Sequence, residues 1–226
     1  MKVLIACEYS GTVRDAFIAL GHEAMSCDFL PTDSPGPHYQ GDVRDVLDQG
    51  WDLMIAHPHC TYLTNSAEWA YKDPDFVRYP GVGYHQRLKP GTLFGADRRQ
   101  ARKEAVEFFL LLWNSGIPRI AIENPVGHMS RHLPDAARQV IHPHEFGDDA
   151  SKATCLWLQG LDPLVPTDHV APRMVNGKPR WANQTDSGQN RLPPSEDRWK
   201  LRSTTFPGIA NAMAAQWGGQ AFGTQQ

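Results

Sequence analysis

With 226 residues, 41% hydrophobic and 21% charged, the chain has the composition of a globular protein with room for one sizeable core. A formal net charge of −3 excludes a wholly basic nucleic-acid binder and leaves only a local basic face for such a role. Four scattered cysteines without a CxxC pair exclude a zinc ribbon and fit a reduced cytosolic protein, and the sequence shows neither a membrane span nor a signal peptide.

Lys2 to Cys7 is a compact apolar run and reads as a buried parallel strand. Glu8-Tyr9-Ser10-Gly11-Thr12 is a turn. Val13, Phe17 and Leu20 follow at helical spacing, and Gly21 closes that helix. His22 to Cys27 is a second strand ending at Asp28, and Pro31 to Pro37 is a loop. A short extended piece precedes Gly41-Asp42-Val43, and Val43 to Leu47 is a helical turn. Asp52 to Ala56 is the next strand. This rhythm implies βαβ units and a mostly parallel sheet.

Thr61 to Ala96 is rich in Tyr, Pro and Gly and reads as a long active-site loop with a little helix. Asp97 to Ser115 is the clearest helix. Val106, Phe109, Leu110 and Trp113 fall at core spacing, and Arg98, Arg99, Arg102 and Lys103 crowd its start. Arg119 to Ile122 is a strand. Gln139 to His142 and Thr154 to Leu158 read as strands, Pro163 to Pro194 as turn-rich and polar, and Phe206 to Trp217 as a helix. Residues 1–130 form the expected catalytic core, 131–200 a small recognition or loop region, and 201–226 a helix returning to the core.

In an open α/β sheet, ligands bind at the carboxyl ends of the strands. Two short motifs stand there: His57-Pro58-His59-Cys60 and Glu123-Asn124-Pro125. A thiol and a carboxylic acid facing one pocket suit attack on an electron-poor ring while a ring nitrogen is protonated. A buried Glu at a strand end must be paired or protonated, and a proton donor needs the second state. The Ser10-Gly11 turn suits a ligand that approaches the backbone at a helix N-terminus. Asp28 occupies the position of a ribose-binding acid, and Asp42 the position of a group that holds a base or amine. Each is equally a turn or cap residue. His57, His59 and Cys60 are metal-ligand types, but alternate residues of an extended chain point to opposite sides, so no metal is expected.

With these residues in order, the chain resembles the S-adenosylmethionine-dependent cytosine-C5 methyltransferases, most of all their short, phage-type members. Glu8-Tyr9-Ser10-Gly11 through Phe17 is similar to the cofactor turn, with Asp28 and Asp42 at its later cofactor positions. His57-Pro58-His59-Cys60 lies on the Pro-Cys motif of the nucleophile, and Glu123-Asn124-Pro125 on the Glu-Asn-Val motif of the proton donor. Gln189-Asn190-Arg191 is similar to the first half of the Gln-x-Arg-x-Arg motif, and Asn211 echoes the closing Asn-rich motif. Three positions depart: His59 stands where the family has Pro, Thr61 where it has Gln, and Pro193 where it has the second Arg.

The resemblance implies a Rossmann-like methyltransferase fold with S-adenosylmethionine as cofactor, held by Glu8, Tyr9, Ser10, Gly11, Asp28, Asp42 and Pro58. It implies that Cys60 adds to C6 of cytosine, Glu123 serves N3, and C5 takes the methyl group. Arg191 would hold the base or orient the thiol, His59 would act as a base or contact the ligand, and Asn124, Pro125 and Gln189 would touch the substrate. DNA is the expected partner, in the cytoplasm of a bacterial host if the chain is phage-encoded. Arg173, Lys178, Arg180, Trp181, Arg191, Arg198, Trp199, Lys200 and Arg202 form the candidate backbone-tracking surface, with a solvated loop face as the plainer reading. The small recognition region leaves room for C5 modification of a free deoxycytidine nucleotide. His59 leaves room for a non-catalytic DNA- or partner-binding protein on the same scaffold.

Overall fold

The computed structural model describes residues 1–125, 127–195 and 198–219, with the Trp199 side chain outside the described set. The chain order is β1 (Lys2–Ala6), α1 (Thr12–Ala19), β2 (Glu23–Asp28), β3 (His38–Gln40), β4 (Leu53–Ala56), α2 (Gly95–Trp113) and β5 (Ile120–Glu123). β6 (Ala137–Ile141), β7 (Thr154–Gln159), β8 (Arg173–Val175), β9 (Lys178–Arg180), α3 (Arg198–Ser203) and α4 (Pro207–Gly218) follow.

Seven strands form one sheet in the order β3-β2-β1-β4-β5-β7-β6. β1 through β5 pair in parallel, and β7 runs antiparallel to both β5 and β6. This is the expected α/β Rossmann-like fold, a mostly parallel sheet with helices on both faces. The sheet order turns back at β1 and β4, so the crevice for a ligand opens at their carboxyl ends.

Alternation along the strands explains why their sequences are apolar throughout. Val3, Ile5, Leu53 and Ile55 face one side, where they pack on Val13 and Phe17 of α1 and on Ile209, Met213 and Trp217 of α4. Leu4, Ala6, Met54 and Ala56 face the other, against Val106, Phe109 and Leu112 of α2. A strand covered on both faces has no polar side to present. Gly21, at φ 81°, ends α1 in a conformation that disfavours side chains.

The structure adds elements that the periodicity did not reveal. The turn-rich stretch 163–194 holds the small hairpin β8-β9, and α3 precedes α4. The long loop 61–96 carries one short 3-10 turn, Glu68–Tyr71, as expected. It is held from α2. Arg102 donates to the carbonyls of Tyr62 (2.9 Å) and Thr64 (3.4 Å), pairs with Glu68 and lies over the Tyr71 ring. Arg99 donates to the Tyr71 carbonyl at 2.7 Å. Among the described residues, no helix is long and apolar enough to cross a membrane.

Trp217 is fully buried where α4 meets the sheet, and its ring nitrogen donates to the Asp162 carbonyl at 2.9 Å. Trp217→Ala is expected to lower unfolding free energy by about 3–5 kcal/mol, read from urea denaturation.

Candidate active site

Strand register builds the centre of the site. β4 and β5 pair Met54 with Ile120, Ile55 with Ala121 and Ala56 with Ile122. The next residue on each chain is His57 and Glu123, so the two stand side by side beyond the last paired residues. His57 Nδ1 lies 3.1 Å from Glu123 Oε2. Alternation turns both away from the α2 side, toward a narrow cavity of about 10 Å³ lined by His57, Glu123, Lys152, Thr154, Thr205, Phe206, Ile209 and Met213. His57 Nε2 is buried there without a hydrogen-bond partner in the structure.

Asn124 couples the two motifs. It is fully buried, its backbone N–H donates to the Cys155 carbonyl (2.9 Å), and its Nδ2 donates to the Pro58 carbonyl (3.3 Å). The β5 end thereby fixes the loop that carries Cys60. Beyond Cys60, the N–H groups of Leu63 and Thr64 both donate to the Cys60 carbonyl, so the chain turns sharply there. Cys60 itself is exposed, whereas Cys27 and Cys155 are buried. His59 is exposed and meets Thr61 only loosely, at 3.4 and 3.5 Å.

Charge sets the resting state of these groups. Burial alone would raise the Glu123 carboxyl, but the His57 hydrogen bond and the Lys152 and His57 charges outweigh it and hold it below the ordinary value. Glu123 is thus paired and ionised in the free protein, not stored as the acid. Cys60 is solvent-accessible, yet its packed surroundings and the Glu123 carboxylate push its thiol up, against the pull of Lys152 and Arg202. Cys60 therefore rests as the thiol. The cations that act on it are Lys152 and Arg202; Lys152 Nζ donates to the Arg202 carbonyl at 3.1 Å.

The cofactor candidates line the neighbouring strand ends. Glu8 is buried, and its Oε1 accepts from Ser10 Oγ and from the Val13 N–H, both at 2.9 Å. That carboxylate caps α1, while Oε2 is buried without a partner. Gly11 begins α1 at φ 77°, and a Cβ there would meet the Arg14 guanidinium at 2.5 Å. Tyr9 hydroxyl donates to the Lys200 carbonyl (3.2 Å) and meets Ser203 Oγ (3.0 Å), which docks α3 on the turn. Asp28 Oδ1 accepts from the Leu30 N–H at 2.9 Å, a turn role. Asp42 caps the following 3-10 turn and pairs with Arg44, whose backbone and side-chain hydrogen bonds hold its carboxyl low despite some burial. Pro58 is buried behind Cys60.

The remaining candidates lie elsewhere. Gln189 and Arg191 line an open groove of about 1150 Å³ with Thr185, Asn190 and Arg198, and this groove shares no residue with the cavity beside Glu123. Arg191 Nε donates to the Gln184 carbonyl at 2.8 Å. Asn211 is exposed on α4. In the basic region, Arg173 pairs with Asp186 (2.7 Å), Lys200 pairs with Asp33 (2.7 Å), and Trp181 stacks on His144 at 4.1 Å. The Trp199 side chain lies outside the described residues.

Sequence reasoning missed three site-building residues. His57 drew notice only as a metal-ligand type; its partner follows from register. Lys152 left no local signal. Arg14 is fully buried, paired with Asp15, and donates to Ser26, Thr32 and the Ser34 and Pro35 carbonyls, which fixes the loop beside the Glu8–Gly11 turn.

No protein-family model and no curated protein matches the sequence. Solved structures similar to this chain include the Entamoeba histolytica methyltransferase EhMeth, at 10% identity and a TM-score of 0.45 over 76% of this chain and 58% of that one. Two others are the S. pombe Dnmt2 methyltransferase (15%, 0.42, over 72% and 51%) and a Spodoptera frugiperda DNMT2 triple mutant (10%, 0.38, over 79% and 57%). The chain spans little more than half the length of these proteins. Likenesses this distant assign no substrate.

Because the Glu123 charge raises the Cys60 thiol, Glu123→Gln is expected to speed iodoacetamide alkylation of Cys60 several-fold at neutral pH. Mass spectrometry of the Cys60 peptide reads the rate. An unchanged rate would remove the electrostatic coupling between the two.

Proposed function

We propose that the chain transfers a methyl group from S-adenosylmethionine to C5 of cytosine in DNA. One observation carries this: Cys60 and Glu123 leave the carboxyl ends of adjacent parallel strands, and Asn124 ties their loops together. The thiol reaches solvent while Glu123 sits behind it. The cavity beside Glu123, about 10 Å³, has no room for a cytosine ring, so a base enters from the Cys60 side.

The cofactor turn fits a cationic ligand. Glu8 Oε2 is a buried carboxylate oxygen without a partner at a helix N-terminus, and burial first, then the charges of Asp28, Cys27 and Asp42, push the neighbouring Cys7 thiol far up. Glu8, Tyr9, Ser10, Gly11, Asp28, Asp42 and Pro58 would surround the ligand. S-adenosylmethionine, when bound, supplies an electrophilic methyl group and a positive charge. That charge favours the Cys60 thiolate. Cys60 Sγ then bonds to C6, and the proton that Glu123 delivers to N3 offsets the charge pushed into the ring. After C5 has been alkylated, a base removes its proton, the C6–S bond breaks, N3 returns its proton to Glu123, and the thiolate leaves.

A free deoxycytidine nucleotide is the second acceptor to test. Its support is that Arg173 and Lys200 are engaged by acids of the chain and Trp181 by His144, which withdraws them from tracking a strand.

Labelled S-adenosylmethionine with DNA, dCMP and dCTP, in parallel, tests all of this. Label is expected on cytosine C5, with Cys60→Ala and Glu123→Gln each lowering turnover at least about 100-fold. Label only on the mononucleotides moves the substrate to the second reading. Near-normal turnover in either variant, or no label on any acceptor from a folded, cofactor-binding protein, sinks the enzyme reading and favours a binding role.

A further inference from the structure

Methyl transfer through Cys60 and Glu123 leaves a second buried titratable side chain without a role. His57 Nδ1 sits 3.1 Å from Glu123 Oε2, and its Nε2 is buried against the small cavity with no partner. Glu123 faces a requirement it does not meet alone. It must hand a proton to a ring nitrogen, yet it rests as a carboxylate. A neutral imidazole has one N–H and an imidazolium has two, so the ring beside Glu123 can hold the missing proton.

We propose that His57 and Glu123 work as one proton-holding pair, in which His57 orients the carboxylate and stores the proton that Glu123 delivers. This rests on the methyl-transfer reading above. In the step, the His57 Nδ1–H bond breaks as the Glu123 Oε2–H bond forms. The carboxyl then passes that proton to N3 of the base. Positive charge moves from the imidazolium to the ring, where the electron pair given by Cys60 neutralises it. His57 then stands as the Nε2–H tautomer and Glu123 as a carboxylate; when the C6–S bond breaks, N3 gives its proton back through Glu123 to His57. His57 is a positioning residue, because it reaches the base only through Glu123.

The surroundings suit such a pair. Lys152, from the chain before β7, stabilises the carboxylate. Cys60 lies on the open side with Arg202 of α3. α4 contributes Ile209 and Met213 to the cavity, with Phe206 just before it, and Thr154 and Thr205 complete the lining. A cavity of about 10 Å³ is near the smallest that holds one water, which would give Nε2–H an acceptor. Register brings His57 beside Glu123, and Nδ1 is the ring nitrogen that lies at the carboxylate.

Two variants separate proton storage from mere orientation. His57→Gln keeps an N–H for Glu123 and cannot titrate; His57→Phe removes both. Covalent capture of Cys60 by 5-fluorocytosine DNA with S-adenosylmethionine is followed from about pH 5 to about pH 9. In wild type, capture is expected to persist to higher pH than in His57→Gln, with the alkaline limb of the variant displaced toward acid by about one pH unit or more. Superimposable limbs overturn the proposal. Carbon-13 NMR of the Glu123 carboxyl in the free proteins, assigned with Glu123→Gln, gives a second readout. It is expected to titrate at higher pH in His57→Phe than in wild type, because burial is then opposed by Lys152 without the His57 hydrogen bond, and an unmoved titration also overturns the proposal. If wild type captures no base while the carboxyl titration moves as expected, the pair stands and the thiol-addition reading falls.

Discussion

The pairing of β4 with β5 is the constraint on which the site depends. A parallel ladder fixes which residues emerge together at the carboxyl end, and here they are His57 and Glu123. A slip of one residue would turn Glu123 to the opposite face, into the apolar layer built on Phe109 and Leu112. The burial of both faces of β4 and β5 opposes that slip, since each strand would exchange its whole apolar set. The same packing that stabilises the fold therefore holds a carboxylate beside an imidazole.

From that pair outward, the site is assembled by hydrogen bonds to backbone carbonyls. Asn124 holds Pro58, Arg102 holds Tyr62 and Thr64, and Arg99 holds Tyr71. The arginine-rich start of α2 thus has an internal purpose. Its guanidinium groups satisfy the carbonyls of a loop without a regular ladder, and Tyr71 covers Arg102 from one side. On the other side of the crevice, buried Arg14 does the same for residues 32–35. Two arginine clamps thus frame the strand ends where Cys60 and the Glu8–Gly11 turn lie.

The electrostatics of the resting site oppose chemistry until ligands arrive. Glu123 is ionised and raises the thiol of Cys60, so neither group rests in the form that the proposed reaction uses. A cation at the Glu8 turn and a base over Cys60 would shift both at once. Such coupling ties thiolate formation to an assembled complex, where a free thiolate would otherwise meet solvent and oxidants.

The strand–helix alternation was legible in the sequence because buried parallel strands read as unbroken apolar runs, and Leu53-Met54-Ile55-Ala56 and Ile120-Ala121-Ile122 are such runs. Their ends marked Cys60 and Glu123 as neighbours of a crevice. Local turn chemistry was equally plain at Asp28 and Asp42, which act as turn and cap. The hairpin β8-β9 was hidden because its strands are short and its side chains largely exposed, which leaves no period to count. The His57–Glu123 contact, the reach of Lys152 toward Cys60 and Glu123, and the placing of Arg191 in a groove apart from the Glu123 cavity were decided by tertiary structure alone. Each depends on register or chain return across dozens of residues, and side-chain type at one position carries no information about which strand end will lie beside it.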